Sequence, residues 1–406
     1  MGRAQTSFVP SEVEGRVLGL GAAPLGFARD ERITEPRSTL ALYIHWPFCV
    51  SKCPYCDFNS HVRESVDQDQ WRDALLRDLV HEAQAWTQGP LTSIFFGGGT
   101  PSLMEPATVA ALIAAAERHW GFAPGIEITL EANPSSVEAA RFADLASAGV
   151  NRVSLGLQSL DEEALRFLGR AHGVAEGLAA LGTAQRVFDR VSFDLIYALP
   201  GQSTAEWERE LERALSFGTG HLSLYQLTIE PGTRFAALAA KGTLRARDPD
   251  EAADLYELTQ QRTGAAGLPA YEISNHARPG EESRHNLAYW RYRPYLGVGP
   301  GAHGRRGGAA TLRHRKPENW LSALARNGNG LAEETPLSPE DQGREALLMG
   351  LRLREGVAVQ GLEELIDRAS AAKLEKAGLL AAEPGKLRVT PPGMLVLEAI
   401  LREIVL

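Results

Sequence analysis

The amino-acid sequence predicts an α/β protein, with a partial (βα)6 barrel followed by a C-terminal winged-helix-like α+β module. Three observations predict this fold. Short apolar runs alternate with stretches of helical period between residues 40 and 228, glycines and polar residues follow the apolar runs, and residues 337–406 carry a different pattern. Alternating strands and helices build a parallel sheet, and six such units are too few to close an eight-stranded barrel.

The strands of the barrel are predicted at six apolar runs, which are residues 40–46, 93–96, 126–131, 152–158, 191–199 and 221–228. Apolar residues between these runs recur with helical period. They predict helices at residues 69–86, 108–120, 137–148, 174–187 and 205–217. The polar and glycine-rich motifs stand at or near the carboxyl ends of the strands, where folds of this class bind their ligands.

Four segments are predicted along the chain. Residues 1–38 form a leader of low order, residues 39–230 the barrel core, and residues 231–336 an extension of the barrel. Residues 337–406 form the C-terminal module, which has no excess of basic residues and is therefore expected to pack against the barrel rather than to bind DNA. Its predicted elements are two helices and a short hairpin, at residues 341–353, 362–376 and 378–390.

Length and composition limit the kind of protein. The chain of 406 residues exceeds the ~250–300 residues that one hydrophobic core usually supports, which agrees with a large and a small unit. A net charge of −9 argues against a general nucleic-acid binder. No apolar run is long enough to cross a membrane and no signal peptide is evident, which predicts a cytoplasmic protein and leaves peripheral membrane contact open.

The three cysteines of the chain, Cys49, Cys53 and Cys56, lie together in a C-x3-C-x2-C pattern directly after the first predicted strand. Three thiolates on one loop can ligate three irons of a cubane cluster and leave the fourth iron open. A structural zinc site needs a fourth ligand, which His45 or His61 could supply. The spacing favours the cluster, with zinc as the open alternative.

Residues 43–49 and 53–60, with the sequences YIHWPFC and CPYCDFNS, resemble the radical SAM superfamily. The resemblance is to the branch that contains the oxygen-independent coproporphyrinogen III oxidases and the HemW heme chaperones. It implies a [4Fe-4S] cluster on Cys49, Cys53 and Cys56, and S-adenosylmethionine on the open iron. In this superfamily the cofactors carry the hard chemistry, and the protein supplies placement and exclusion of water.

The same resemblance assigns contacts to S-adenosylmethionine. The implied residues are Tyr43, Gly98, Gly99, Thr100, Glu131, Gln158, Arg170 and Asp194. Carboxylates at strand ends can accept hydrogen bonds from ribose hydroxyls, and an arginine can pair with the methionine carboxylate. Structural alternatives remain open: Glu131 could cap a helix, Gln158 could tie adjacent loops, and Arg170 could form an ion pair with Asp194.

A second element, His285-Asn286-Leu287-Ala288-Tyr289, resembles the H-N-x-x-Y element of HemW proteins. The resemblance implies that His285, Asn286 and Tyr289 bind heme. Imidazole is a common axial ligand, aromatic faces suit a porphyrin, and the arginines that flank the element can pair with propionates. A buried structural histidine is the alternative, and His303 in a glycine-rich segment is a second candidate ligand.

The sequence favours a heme chaperone that passes heme to a cytoplasmic or membrane-bound acceptor, with an electron donor as a further partner. Phe58 stands where the oxidases of this branch carry an additional cysteine, which disfavours the conversion of coproporphyrinogen III to protoporphyrinogen IX. That oxidase activity is the alternative, so no catalytic residue is assigned. A radical SAM enzyme that modifies RNA is a third interpretation, which the acidic net charge disfavours.

Overall fold

The structure, a computed structural model, describes residues 39–406. The leader predicted at residues 1–38 lies outside the described residues. The part that is described contains one eleven-stranded sheet, a three-stranded sheet and a pair of short strands. No helix within residues 39–406 combines the length and the apolar character needed to span a membrane.

The barrel core contains eight strands and seven α-helices. The strands are β1 (Leu40–Trp46), β2 (Phe48–Cys49), β3 (His61–Val62), β4 (Leu91–Gly98), β5 (Phe122–Ala132), β6 (Arg152–Gln158), β7 (Arg190–Tyr197) and β8 (His221–Gln226). The helices are α1 (Gln68–Ala85), α2 (Pro106–Trp120), α3 (Ser136–Ala139), α4 (Phe142–Ser147), α5 (Glu162–Phe167), α6 (Val174–Val187) and α7 (Thr204–Ser216). Strands β1, β4, β5, β6, β7 and β8 are parallel neighbours in that order, which confirms the predicted α/β class.

Strand alternation separates an apolar outer layer from a polar interior. In β1, Leu40, Leu42 and Ile44 are at most 1% exposed and belong to the main apolar cluster, whereas Tyr43 and His45 point to the opposite face. The other core strands repeat this pattern. Their buried polar side chains are Ser93, Glu127, Thr129, Arg152, Ser154, Ser192, His221 and Ser223.

The extension adds strands to both edges of the core. Its elements are α8 (Arg234–Ala240), α9 (Pro249–Ala265), β9 (Asn275–Ala277), α10 (Arg284–Trp290), β10 (Tyr295–Val298), β11 (His303–Arg306), β12 (Ala309–Arg313), α11 (Pro317–Asn327) and β13 (Leu331–Pro336). Strand β10 pairs in parallel with β1 and leads to the antiparallel strands β11, β12 and β13, while β9 pairs antiparallel with β8. Strands β13 and β9 therefore form the two ends of an open sheet.

The C-terminal module has a separate apolar core. Its elements are α12 (Pro339–Gly350), β14 (Val357–Ala358), α13 (Arg368–Lys376), β15 (Leu380–Glu383), β16 (Lys386–Val389), α14 (Pro391–Met394) and α15 (Leu397–Ile404). The three strands form an antiparallel sheet in the order β14-β16-β15. Leu380, Val389 and Ile400 pack in its core, and Tyr256 and Ile273 of the extension pack against them. The predicted helices and hairpin are therefore present, joined by a final helix.

Two helices predicted as continuous are interrupted, so those predictions were wrong in detail. Residues 137–148 form α3 and α4, which are separated by a turn at residues 140–141, where the Arg141 side chain donates to the Met104 carbonyl oxygen. Residues 362–376 form a short 3-10 turn and then α13. Helix α13 begins after Asp367, whose carboxylate accepts from the backbone N–H groups of the first turn.

A buried ion-pair network attaches the extension to helix α1. Arg313, which is fully buried, donates to Asp78 at 3.1 Å and to Glu82 at 2.7 Å, and Arg306 donates to Glu82 at 2.8 Å. Burial opposes ionisation of Glu82, but the two arginines hold its pKa below the ordinary value. Asp78 also accepts from the backbone N–H of Gly299, so the network positions the glycine-rich segment as well.

We expect Arg313→Met to lower the free energy of unfolding by about 3–5 kcal/mol, because it leaves two buried carboxylates without their shared cation. Urea denaturation at neutral pH measures this loss. Arg166→Ala is the control, since Arg166 and Glu163 form an exposed pair at 3.8 Å whose loss should cost roughly 0–1 kcal/mol. Equal small losses in both variants would contradict the importance of the network.

Candidate functional site

The residues predicted to bind the cluster and S-adenosylmethionine come together at the carboxyl edge of the parallel strands. Cys49 ends β2, and Cys53 and Cys56 follow in the loop that leads to β3. Gly98 ends β4, and Gln158 ends β6. Tyr43, Glu131 and Asp194 lie within the neighbouring strands β1, β5 and β7. The sheet thus gathers side chains that are far apart in the sequence.

Each cysteine sulfur lies next to a hydroxyl or guanidinium group. The Thr100 hydroxyl donates to Cys49 Sγ at 3.4 Å, and Arg170 Nη1 donates to Cys53 Sγ at 3.4 Å. Cys56 Sγ lies 3.9 Å from the Ser60 hydroxyl. All three thiols are free and partly buried. Donors directed at sulfur are what metal-bound thiolates require, so the donor set fits an iron–sulfur cluster.

The structure does not support His45 as a fourth ligand to zinc. Both of its ring nitrogens are already hydrogen-bonded, to the Tyr43 hydroxyl and to the Asn59 carbonyl oxygen, each at 2.9 Å. Asn59 in turn donates to the carbonyl oxygens of Pro300 and Arg315. Sequence reasoning did not identify the structural roles of His45 and Asn59, which connect the cysteine loop to β1 and to the extension.

The glycines after β4 allow this strand to approach the cysteine loop. A Cβ atom on Gly98, whose φ is +114°, would lie 2.5 Å from the His45 ring, and one on Gly99 would lie 2.7 Å from the Phe48 carbonyl oxygen. The Gly98 N–H donates to Glu131 at 3.1 Å, and the Thr100 N–H donates to the Phe48 carbonyl oxygen at 2.9 Å. Close packing therefore explains these glycines, while their contact with S-adenosylmethionine stays a prediction.

Two partly buried carboxylates face the interior beside this edge. Burial, with the negative charge of Asp194, raises the pKa of Glu131 to about 8. Burial raises the pKa of Asp194 to about 6, although it accepts a hydrogen bond from Ser154 at 3.2 Å. A carboxylate that is shielded from water and has no bound cation beside it is stabilised by hydrogen bonds from hydroxyl groups. The pair is chemically suited to a ribose, as predicted from the sequence, and this assignment stays a prediction.

Arg170 has one donor left for a ligand. Its Nη2 donates to Asn133 Oδ1 at 2.7 Å and to the Gly156 carbonyl oxygen at 2.9 Å, so it does not pair with Asp194 as one alternative proposed. Its Nε is buried and makes no hydrogen bond within the described part of the chain. An orphaned guanidinium N–H fits the carboxylate of S-adenosylmethionine, because a buried donor without an acceptor is costly.

Backbone strain is concentrated at the same edge. Gln158 has a φ of +68° at the end of β6, and Ala198 has a φ of +59° directly after β7. Non-glycine residues rarely adopt this left-handed conformation, and such residues cluster where binding sites are preorganised. Their position on neighbouring strands supports this edge as the functional one.

The H-N-x-x-Y element lies elsewhere in the barrel. His285, on α10, is 1% exposed, and its ring nitrogens are hydrogen-bonded to the Ser93 hydroxyl at 3.0 Å and the Tyr289 hydroxyl at 2.9 Å. Burial lowers its pKa to about 3. The Asn286 amide donates to the Tyr271 hydroxyl at 3.5 Å. The element therefore packs inside the barrel, and its role in heme binding stays a prediction.

Comparison with known proteins identifies the family. Residues 43–214 match the radical SAM superfamily, and residues 337–396 match the HemN C-terminal domain. The chain is 38% identical over 376 residues to the protein named heme chaperone HemW from Escherichia coli strain K12, with 89% of this chain and 97% of that protein covered. The chain belongs to the HemN/HemW branch of the radical SAM superfamily.

Other members of this branch are similarly close. The heme chaperone HemW of Mycobacterium tuberculosis strain H37Rv is 36% identical over 371 residues, which cover 90% of this chain and 95% of that protein. The mitochondrial radical S-adenosyl methionine domain-containing protein 1 of Bos taurus is 41% identical over 384 residues, which cover 89% of this chain and 86% of that protein. Among solved structures, coproporphyrinogen III oxidase (HemN) from Escherichia coli superposes with a TM-score of 0.77 at 24% identity, over 91% of this chain and 90% of that one. This last likeness shows a shared fold.

Membership in the radical SAM superfamily implies a [4Fe-4S] cluster and S-adenosylmethionine as cofactors, which together supply one-electron reductive chemistry when bound. Cys49, Cys53 and Cys56 are the residues that would hold the cluster. Around them lie donors to sulfur, a partly buried carboxylate pair and the Arg170 Nε–H without an acceptor. That these groups orient the cofactor and exclude water stays a prediction.

We expect Glu131→Gln to stabilise the cofactor-free protein increasingly as the pH rises. The native pKa of about 8 exceeds the ordinary value of 4.5, so between these values the native state binds more protons than the unfolded state, and its stability falls as the pH rises. The glutamine, which has no charge to bury, should therefore be more stable than wild type by a few kcal/mol near pH 8 and nearly equal near pH 4.5.

Thermal unfolding of the two proteins across this pH range measures the effect. Glu212→Gln, on the exposed side of α7, is the control and should show no difference that grows with pH. A constant difference between Glu131→Gln and wild type across the range would mean that the Glu131 carboxyl titrates normally.

Proposed function

We propose that this protein is a heme chaperone, which binds heme, carries a [4Fe-4S] cluster with S-adenosylmethionine, and transfers heme to an acceptor protein. The observation that carries the proposal is the similarity to proteins named heme chaperone HemW, at 36–38% identity across about nine-tenths of the chain.

Phe58 supports a chaperone over an oxidase. The oxidases of this branch carry an additional cysteine at this position, whereas Phe58 is a partly buried side chain. Its carbonyl oxygen accepts from the Ser60 N–H at 2.7 Å, which turns the chain towards β3. Position 58 offers no thiol for chemistry. Oxidase activity is the second candidate, and it is supported by the HemN-type fold alone.

Heme ligation by His285 requires one ring nitrogen to leave its hydroxyl partner, while the other nitrogen can keep its hydrogen bond. A neutral hydrogen bond contributes about 0.5–1.5 kcal/mol, so its exchange for a bond to heme iron has a modest energetic cost. The aromatic neighbours now pack on one another, since Tyr289 and Tyr295 are 4.4 Å apart between ring centroids and Arg305 lies 3.5 Å from the Tyr292 ring. Heme binding at this element would thus involve local opening around α10.

We expect His285→Ala to weaken heme binding at least tenfold while the iron content of the cluster is retained. Anaerobic titration with ferric heme, followed by the Soret band, measures the affinity, and iron and sulfide analysis measures the cluster. His221→Ala is the matched control, because the buried His221 ring also contacts a serine and a tyrosine hydroxyl, at 2.8 Å and 3.0 Å. It should lose stability like His285→Ala and keep its affinity for heme.

A third variant, His303→Ala, distinguishes the two candidate ligands. His303 lies at the start of β11 and is partly exposed, so its ring can be reached without opening α10. If heme binding is lost in His303→Ala and retained in His285→Ala, His303 and not His285 is the heme ligand. If wild type binds no heme, the proposed function is wrong.

Anaerobic incubation of the reconstituted protein with coproporphyrinogen III, S-adenosylmethionine and a reductant tests the second candidate. We expect no protoporphyrinogen IX, because the chain has Phe58 in place of the additional cysteine of the oxidases. Product formation in wild type that is lost in Cys53→Ala would instead establish oxidase activity.

A further inference from the structure

A chain of hydrogen bonds connects Cys49 to Cys53 through Asn133. The Asn133 amide donates to the Thr100 hydroxyl at 3.1 Å, and that hydroxyl donates to Cys49 Sγ at 3.4 Å. On the other side, Arg170 donates to Asn133 Oδ1 at 2.7 Å and to Cys53 Sγ at 3.4 Å. Among the residues that the structure describes, Asn133 is the one that hydrogen-bonds to both of these sulfur donors.

Only an amide satisfies both partners. Its nitrogen donates to an oxygen, and its oxygen accepts from a guanidinium, so the orientation of the side chain is determined by its neighbours. Because the Thr100 hydroxyl accepts from Asn133, its own hydrogen is directed to Cys49. A carboxylate at position 133 could accept from Arg170 but could not donate to Thr100, and an alkyl group could do neither.

The position of Asn133 is fixed independently of the cysteines. Its backbone N–H donates to Glu138 Oε2 at 2.8 Å, and Glu138 is held by the hydroxyl groups of Ser102 and Ser135. Glu138 is 5% exposed. Glu138 and Ser135 also cap the start of α3 directly after Asn133, so the local fold fixes the backbone that carries the Asn133 amide.

We propose that Asn133 is a positioning residue that raises the reduction potential of the cluster, by holding the Thr100 and Arg170 donors against Cys49 and Cys53. Hydrogen bonds to thiolate sulfur stabilise the extra negative charge of a reduced cluster and so raise its potential. Hydrogen bonds in a chain also polarise one another, which strengthens the donors at both ends. The inference concerns electron uptake and holds whether or not the protein binds heme.

The midpoint potential of the reconstituted full chain tests this role. An anaerobic dithionite titration without S-adenosylmethionine, followed by the EPR signal of the reduced cluster, should give a more negative potential for Asn133→Ala than for wild type, at equal iron and sulfide content. Asn151→Ala is the matched control. The Asn151 side chain, just before β6, donates one hydrogen bond to a backbone carbonyl oxygen and accepts one from a backbone N–H, each at 2.8 Å. Asn151→Ala should therefore reduce stability and leave the midpoint potential of the cluster unchanged.

A second pair of variants separates coupling from general damage. Thr100→Val removes the hydroxyl at nearly constant shape and should shift the potential in the same direction, whereas Thr100→Ser keeps the hydroxyl and should not. Since Asn133 acts partly through Thr100, the shift of the double variant Asn133→Ala and Thr100→Val should be smaller than the sum of the single shifts. If the shift of the double variant equals the sum of the two single shifts, the two residues act separately.

Three outcomes overturn the proposal: a wild-type potential in Asn133→Ala, an equal shift in Asn151→Ala, or a wild-type chain that holds no reducible cluster. If Asn133→Ala cannot hold the cluster, Asn133→Leu replaces it, because it keeps the size of the side chain, adds no charge and loses both hydrogen bonds. A potential of Asn133→Leu that equals wild type would also overturn the proposal.

Discussion

The parallel pairing of β1 with β4 is the constraint on which the functional edge depends. In this register His45 lies opposite Gly97 and Trp46 opposite Gly98, so both strands end at the same level. The residues that directly follow the two strands therefore lie close together, and the Thr100 hydroxyl contacts Cys49 Sγ. A slip of one residue would turn every side chain of a strand to the other face. The apolar residues of β1, packed against the helices, prevent that slip and thereby hold the cysteine loop in place.

Hydrogen bonding differs along the barrel interior. Away from the cysteine edge, the histidine rings pair with hydroxyl groups: His285 with Ser93, and His221 with Ser192. Near the cysteine edge, burial raises the pKa values of Glu131 and Asp194, each of which accepts a hydrogen bond, and Arg170 Nε lacks an acceptor. A buried donor without an acceptor is costly in a folded protein, so Arg170 Nε marks this edge as suited to a ligand. His285, by contrast, stabilises the barrel through its present contacts.

The sequence predicted those features that depend on local pattern or on a recognisable motif. Apolar runs identified the six parallel strands, and the cysteine spacing identified the loop that belongs to the family. Features that depend on distant contacts were not predictable. The edge strands β9 and β10 are three and four residues long, too short for a clear pattern. Asn133 stands within a motif of evident interest, but its partner Arg170 is 37 residues away, and nothing in the local sequence connects them.

The contacts of Arg170 limit how it can bind a cofactor. Its Nη1 and Nη2 are directed to Cys53, Asn133 and the Gly156 carbonyl oxygen, so a carboxylate can take a single hydrogen bond from Nε rather than the paired contact that arginine usually offers. A single contact provides less affinity than a paired one. In return, the guanidinium is already ordered before a ligand arrives, so little conformational entropy is lost on binding. Arg170 is therefore held by the cysteine loop before a ligand binds, which explains why a partly buried charged residue lies beside a thiol.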